Sequence, residues 1–309
     1  MTRAAWSVLV AVGCYGPAAH PGSPCDQGAC SSGLVCELGL CVEPTSDAAN
    51  PDAPTTDAHP PPDAMTGLAP FKTPVAVPGI NTGATEDDPT FSADRLTIMF
   101  TRGSAAAGTE LWMGTRATTG DAFTVAIVTE LNSTSTDQSP ELSADGLTVY
   151  FTSSRSGSNE VYTSTRTSGQ PWATPTVATD LSTTGNDSDI GVSPDGLTAI
   201  VVRIAATQTF WRYQRASVTG TFGNPTELTK LEIASNVAAP SLTNGAATVY
   251  FHSGSVRDLY VSRLAAGVYS TPVPVTELNT SGRDASPYIN AADDRIVFDR
   301  DGDLYEAAR

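Results

Sequence analysis

The sequence has 309 residues and carries 33 acidic against 17 basic side chains, a formal net charge of −16. That balance supplies no basic footprint, so no nucleic-acid partner is expected. Charged residues make up only 16 % of the chain, and a composition rich in Thr, Ser, Gly, Ala and Val favours short strands and turns over helices. No run of about eighteen apolar residues is present to span a membrane as a helix.

Residues 1–14, MTRAAWSVLVAVGC, have the layout of an export signal. Arg3 and the α-amino group supply positive charge, and residues 4–12 form a short apolar core. Ala11-Val12-Gly13-Cys14 resembles a bacterial lipobox, in which cleavage ahead of the cysteine leaves a lipid on Cys14. An ordinary signal peptide followed by a free cysteine is the competing reading. Tyr15 stands where Asp would favour inner-membrane retention in the best-known sorting system. The expectation is therefore an outer-membrane lipoprotein facing the periplasm or the surface, touching the membrane through its lipid only.

Residues 15–41 hold Cys25, Cys30, Cys36 and Cys41, which leaves Cys14 as the odd one of five cysteines. In an exported chain the four are expected to pair as two disulfides, in any of three connectivities. A zinc site is the rival, disfavoured because four residues rather than two separate the cysteines within each half of the cluster. Residues 42–68 are rich in Pro, Asp, Ala and Thr and poor in large apolar side chains. Such a segment cannot bury enough surface to order itself and reads as a disordered, semi-stiff tether.

From residue 69 to the end the sequence repeats. A proline recurs as Pro89, Pro140, Pro240 and Pro287, with Ile190 in the third copy, at spacings of 51, 50, 50 and 47. The apolar residue closing the next strand follows in step as Phe100, Phe151, Val201, Phe251 and Phe298. A third strand carries Trp112, Tyr162, Trp211, Tyr260 and Tyr305, and a fourth begins at Phe123, Trp172, Phe222 and Tyr269. Alternating and β-branched runs joined by Asp145-Gly146 and Asp195-Gly196 turns argue strands throughout. Four antiparallel strands repeated about every fifty residues make a propeller blade. A two-sheet sandwich would not need five copies of one register.

The last unit stops after its third strand. Its missing fourth stands at the other end, where FKTPVAVPGIN at 71–81 matches YSTPVPVTELN at 269–279. The expected fold is all-β, a five-bladed β-propeller of four-stranded antiparallel blades over 69–309, closed by that N-terminal strand.

The second unit reads SPxxSxDGxxVYFxSxRxGxxxVY from Ser139, which resembles the TolB-type, WD-repeat-like propeller repeats of bacterial envelope proteins. The resemblance runs through all five units, although the fourth has Gly245-Ala246 in place of Asp-Gly. TolB proteins carry six blades and a separate α/β domain, whereas five blades and no such domain are found here. The family's role in the Tol–Pal system is therefore not carried over. The resemblance implies a fold and a periplasmic or surface location, and no reaction.

Sites of chemistry are sparse. His20 and His59 lie in the tail, and His252, alone in the propeller, reads as a wall residue; no phosphate loop, dinucleotide fingerprint or zinc-protease motif occurs. Three residues before the proline position stand Glu86, Asp137, Asp187, Val237 and Asp284. This acidic ring would surround one channel mouth, either as a site for a cation, a basic group or a sugar, or as turn caps that belong to the repeat. Asp299, Asp301 and Asp303, around Gly302, are weak calcium candidates, and no other cofactor is expected. The expected function is that of a monomeric, non-catalytic envelope lipoprotein whose propeller binds an envelope protein or a glycan. The alternative is a glycoside-processing enzyme using channel-mouth carboxylates.

Overall fold

A computed structural model describes residues 68–309 apart from 105–107 and 234–235, together with the backbone of Val35–Glu37 and Leu40–Val42. The chain forms two units, Met1–His59 and Pro60–Arg309. In the first, β1 (Val35–Glu37) and β2 (Leu40–Val42) form an antiparallel hairpin with Cys36 opposite Cys41. Cys14, Cys25, Cys30, the export signal and most of the linker lie outside the described residues. Among the described residues no helix is long and apolar enough to cross a membrane.

The second unit is the five-bladed propeller. Blade one is β4 (Thr85–Phe91), β5 (Thr97–Ser104), β6 (Gly108–Thr115) and β7 (Thr124–Ile127). Blade two is β8 (Asp137–Leu142), β9 (Thr148–Ser153), β10 (Glu160–Thr165) and β11 (Thr176–Val177). Blade three is β12 (Asn186–Val192), β13 (Thr198–Ile204), β14 (Gln208–Gln214) and β15 (Gly223–Glu227). Blade four is β16 (Ala238–Leu242), β17 (Thr248–Ser253) and β18 (Asp258–Ala265), with its outer edge split between β19 (Val268–Tyr269) and β20 (Val273–Pro274). Blade five is β21 (Asp284–Ile289), β22 (Arg295–Arg300) and β23 (Asp303–Ala308), completed by β3 (Val75–Ala76). The first strands touch in a closed ring, β4 to β8 to β12 to β16 to β21 and back to β4.

The recurrent residues explain why the register repeats. In blade two Ser143 Oγ donates to Asp145 Oδ1 at 2.6 Å, and Asp145 Oδ1 accepts the Leu147 N–H at 3.0 Å. Gly146 takes the φ of 70° that the turn requires. An Asn after the fourth strand clasps the third strand on both sides: Asn132 exchanges two bonds with the Leu111 backbone, Asn279 with Leu259 and Asn81 with Leu304. The Arg ending the third strand reaches back to a hairpin carbonyl and covers the fourth-strand aromatic. Arg166 Nε donates to Gly146 O at 3.0 Å while its guanidinium lies 4.4 Å from the Trp172 ring centroid. Blade four has Leu264 in that place, and the Tyr269 hydroxyl donates to Ala246 O at 2.8 Å instead.

Each hydrophobic core lies between two blades. Leu111 and Leu131 of blade one pack with Phe151 and Trp172 of blade two, and Ile98 and Phe100 of blade one pack with Val297 and Leu304 of blade five. The N-terminal segment joins that last seam through Val77 and Ile80, and β3 pairs with β23, Ala76 opposite Tyr305. Arg309 locks the closure. Its guanidinium lies 3.9 Å from the Phe71 ring centroid and binds Tyr250, Asp293 and the Ala69 carbonyl.

A chain starting at Glu86 is therefore expected to melt lower and less cooperatively than one starting at Ala69. Equal midpoints and equal monomer fractions would disprove the closure. Arg309→Ala should cost about 2–3 kcal/mol, because it removes the guanidinium shared by Asp293 and the Tyr250 hydroxyl and leaves Asp293 only the more distant Arg263 at 3.8 Å, as read by chemical denaturation.

Candidate functional site

The four acids of the predicted ring do not line a channel mouth. Glu86, Asp137, Asp187 and Asp284 are each 0 % exposed. One Asp137 oxygen accepts the Ser133 N–H at 2.6 Å and the Ser133 hydroxyl at 2.8 Å, and Thr183 and Thr280 serve Asp187 and Asp284 in the same way, while at Glu86 the Thr82 N–H goes to Oε2 and the Thr82 hydroxyl to Oε1. The other oxygen, which at Glu86 is the hydroxyl-bonded Oε1, faces an arginine of the same blade: Arg102 at 2.7 Å from Glu86, Arg155 at 2.5 Å from Asp137, Arg203 at 3.6 Å from Asp187 and Arg300 at 2.7 Å from Asp284. Each guanidinium also covers the third-strand aromatic, as Arg102 does at 4.5 Å from Trp112. These carboxylates cap a turn and fix an arginine, so they present no face to a ligand. Blade four lacks both partners together: Val237 replaces the acid, and Ser253 stands where blades one, three and five have the arginine and Ser255 where blade two has Arg155.

Two of the three calcium candidates are likewise engaged by the protein. Asp299 lies 2.5 Å from Arg283 Nη1 and accepts the Gly302 N–H at 2.7 Å, while Asp301 accepts the Arg283 N–H at 3.0 Å. Asp303 is half-buried at the start of β23. Among the described residues no group of three acidic, His or Cys side chains converges on a metal position. His252 is buried, and its Nδ1 accepts the Ser286 N–H at 3.1 Å. Burial pushes it down to about 3, so the ring is neutral. Thr101 does the same work in blade one, where its Oγ1 accepts the Ser139 N–H at 3.1 Å.

The channel is lined one step further along the inner strand. The residue ahead of the proline position is Asp88, Ser139, Asp189, Ala239 or Ser286, with φ of 49°, 50°, 26°, 51° and 46°. This left-handed bulge, repeated five times, turns that side chain toward the axis. The waist so formed encloses about 20 Å3, room for about one water. Ser139 Oγ lies 3.1 Å from Asp88 Oδ2 and 2.6 Å from Asp189 Oδ1. One hydroxyl proton serves both contacts only if one acid keeps its own proton. Burial raises both acids, and the Asp87 charge adds to the effect.

Beyond the waist, on the face built by the first hairpin turns, a cavity of about 730 Å3 opens, within the range of small-molecule sites. Its aromatic walls are Phe91, Tyr150 and Tyr288, and Glu141 stands where the cavity meets the waist. Glu141 occupies the position after the proline, where the other blades have Thr90, Gly191, Ser241 and Tyr288. That position stitches each blade to the next. Thr90 Oγ1 accepts the Leu142 N–H at 3.1 Å, Glu141 Oε1 the Val192 N–H at 3.3 Å and Ser241 Oγ the Ile289 N–H at 2.9 Å. Gly191 has no side chain because a Cβ there would collide with the Pro240 carbonyl. The Tyr288 hydroxyl donates to Phe91 O at 3.3 Å across the seam between the last blade and the first.

A carboxyl group exceeds what the stitch requires, since a hydroxyl suffices in two other blades. Burial pushes Glu141 up to about 8, so at neutral pH it is an uncharged acid with an O–H to donate. Sequence reasoning did not nominate it. The available signal was the comparison of the five residues that follow the proline, in which one acid stands among Thr, Gly, Ser and Tyr.

No protein-family model and no curated protein matches the chain. Among solved structures it is similar to the α-L-arabinofuranosidase PaAbf62A from Podospora anserina in complex with cellotriose. The two are 12 % identical, with a TM-score of 0.50, over 76 % of this chain and 94 % of that one. It is also similar to TolB from Acinetobacter baumannii, 19 % identical at a TM-score of 0.48, covering 74 % of this chain and 55 % of that one. For a putative TolB from Agrobacterium tumefaciens the values are 19 %, 0.47 and 70 % of both chains. At such identities the likeness concerns the fold alone. The class that fold and repeats define is a five-bladed β-propeller with repeats similar to those of TolB.

Asp137→Asn is expected to destabilise by roughly 3 kcal/mol, because it leaves the Arg155 cation without its counter-charge. The pair Asp137→Val with Arg155→Ser, which copies blade four, should cost less than the sum of its parts, and calcium should shift neither melting curve. A calcium-dependent shift lost in Asp137→Asn would reinstate the ring as a cation site.

Glu141 makes a second expectation. Its pKa is raised from 4.5 to about 8, so the folded state keeps a proton that the unfolded chain loses. The wild type should therefore lose stability as pH rises from 4.5 to 8, and Glu141→Gln should remove that part of the slope. Parallel melting-temperature profiles for the two proteins would refute the buried acid.

Proposed function

We propose that the protein is a non-catalytic binding module of the bacterial cell envelope, holding a protein group or a glycan in the channel-mouth cavity. The observation that carries this reading is the cavity itself, large enough for a ligand and ending on one half-buried carboxyl group. The anchor supports it. A lipid on Cys14, a cysteine-stapled segment and a proline-rich spacer at 42–68 would hold the propeller at the outer membrane as a monomer, facing the periplasm or the surface.

An enzyme reading needs two carboxylates about 5 to 10 Å apart with a sugar between them. The fold likeness to an arabinofuranosidase raises that alternative. The acids nominated from sequence are enclosed and paired with arginine, and Asp88 and Asp189 share one hydroxyl across a waist of about 20 Å3. Neither set leaves room for a sugar ring, which supports binding over hydrolysis.

The test uses prodan, a neutral naphthalene dye with one carbonyl. It should bind the wild type one to one with a blue-shifted emission. Ala292→Trp and Ala93→Trp, both at exposed rim positions of the cavity, should abolish that signal. No turnover of 4-nitrophenyl arabinofuranoside, xyloside or glucoside is expected. Rim variants that bind the dye normally, or hydrolysis of any of the three, would overturn the reading. For the anchor, metabolic labelling with a fatty-acid probe should mark the wild type and leave Cys14→Ser unmarked; an unlabelled, soluble wild type would remove the lipid.

A further inference from the structure

Building on the binding-module reading, we propose that the cavity takes a small zwitterion, such as a short peptide with both ends free, whose carboxylate meets Arg215 and whose ammonium group meets Asp145. The charges on the cavity walls carry this assignment. Arg95 is already paired with Glu306, but three other charged side chains there have no counter-charge among the described residues. Arg215 donates from Nε to Gly196 O at 2.6 Å, with longer contacts of 3.4 Å from Nη1 to Gly220 O and to the Tyr150 hydroxyl. Asp145 accepts from Ser143 and the Leu147 N–H, and Asp195 from Ser193, the Leu197 N–H and the Gly245 N–H. Every one of these partners is neutral.

The repeat explains why these residues are present but leaves some of their atoms unused. Capping the hairpin turn occupies Asp145 Oδ1 twice, and Oδ2 takes no hydrogen bond among the described residues. Those two bonds hold Asp145 below the usual carboxylate range, so it carries its charge at neutral pH. Arg215 covers Phe222 at 4.2 Å and bonds Gly196 O through Nε, while Nη2 takes no hydrogen bond among the described residues. Its counterpart Arg166 covers Trp172 away from the cavity walls, with Nη1 3.4 Å from Met113 Sδ. Asp145 is exposed at the cavity edge and Arg215 is half-buried, so the carboxylate end of the ligand enters first.

A ligand with one sign of charge answers only part of this set. A lone carboxylate suits Arg215 but must approach two acids on a chain of net charge −16. A lone ammonium suits an acid and leaves the Arg215 charge desolvated without a partner. An uncharged ligand would strip water from all three and return nothing. A zwitterion meets both signs at once. Between its charged ends the walls offer Phe91, Tyr150, Val192 and Tyr288 for apolar side chains, with the Thr163 and Thr219 hydroxyls available to amide groups.

Three forms of one peptide separate the two charges: trialanine, N-acetyl-trialanine without the ammonium group, and trialanine amide without the carboxylate. By titration calorimetry at neutral pH trialanine should bind the wild-type protein and displace prodan. Each blocked form should bind about tenfold more weakly, the worth of one charge-assisted hydrogen bond. Asp145→Asn keeps the turn cap through its amide oxygen, and it should lower trialanine affinity about tenfold while N-acetyl-trialanine changes by less than about twofold. Arg215→Met keeps an apolar cover over Phe222, and it should weaken trialanine while trialanine amide is unchanged. If Arg215→Met does not fold, Asp145→Asn and the blocked peptides decide the matter. A blocked form that binds as tightly as trialanine, or an Asp145→Asn variant that loses trialanine and N-acetyl-trialanine equally, would overturn the assignment. If no peptide binds while prodan still fills the wild-type cavity and fails in Ala292→Trp, the zwitterion falls and the binding module stands. Loss of prodan binding as well would retire both.

Discussion

Among the described residues every hydrophobic core of this propeller is shared by two neighbouring blades, and no blade holds one of its own. Phe100 and Phe123 are covered only because Val297 and Leu304 come from the other end of the chain, with Val77 and Ile80 filling the same seam. Burying an aromatic of this kind contributes about 1.5–3 kcal/mol, so an open ring would forfeit a seam's worth of packing. Closure thus supplies the fifth seam, which an open ring would lack. Arg309 secures it, stacked on Phe71 and bonded to Asp293 and Tyr250. It performs the aromatic-covering role that Arg116, Arg166 and Arg215 perform in earlier blades.

Blade four shows which departures from the repeat are structural. Val237 stands where the other four blades have an acid and Ser253 where three of them have its arginine, and removing both members of a buried pair avoids leaving a lone charge behind. Leu264 replaces the arginine that would have reached the hairpin carbonyl, and the Tyr269 hydroxyl supplies the lost donor. Each loss in that blade is matched by a compensating change within the blade itself. Glu141 is a departure of another kind. It keeps the stitch to Val192 and adds a titratable group that no neighbouring arginine neutralises. Added polarity beside a cavity, without a compensating partner, is the feature that distinguishes a site from a variant of the architecture.

The blade period, the aromatic positions, the Asp-Gly turns and the closing strand were all legible in the sequence, because each leaves a side chain at a fixed spacing. The lining of the channel was not. The bulge ahead of the proline rotates the inner strand, so that Asp88 and Ser139 face the axis while Glu86 and Asp137 turn into the blade. A left-handed φ at a non-glycine residue has no reliable signature in sequence. The recurrence of Arg102, Arg155 and Arg203 was visible beside the acids, yet their pairing depends on cross-strand register, which places Glu86 opposite Arg102 and Asp187 opposite Arg203. Glu141 was hidden because its backbone environment is that of its four counterparts.

The waist then determines which way the site can work. Asp88, Ser139 and Asp189 border a space for about one water, and the Ser139 hydroxyl between them, with one acid protonated, lets the two acids stand on either side of it without full repulsion. On the far side Arg283 is held between Asp87 and Asp299, so the nearest cation there is already committed. Glu141 borders both the waist and the hairpin-face cavity, so it is an inner-strand residue at which the two meet.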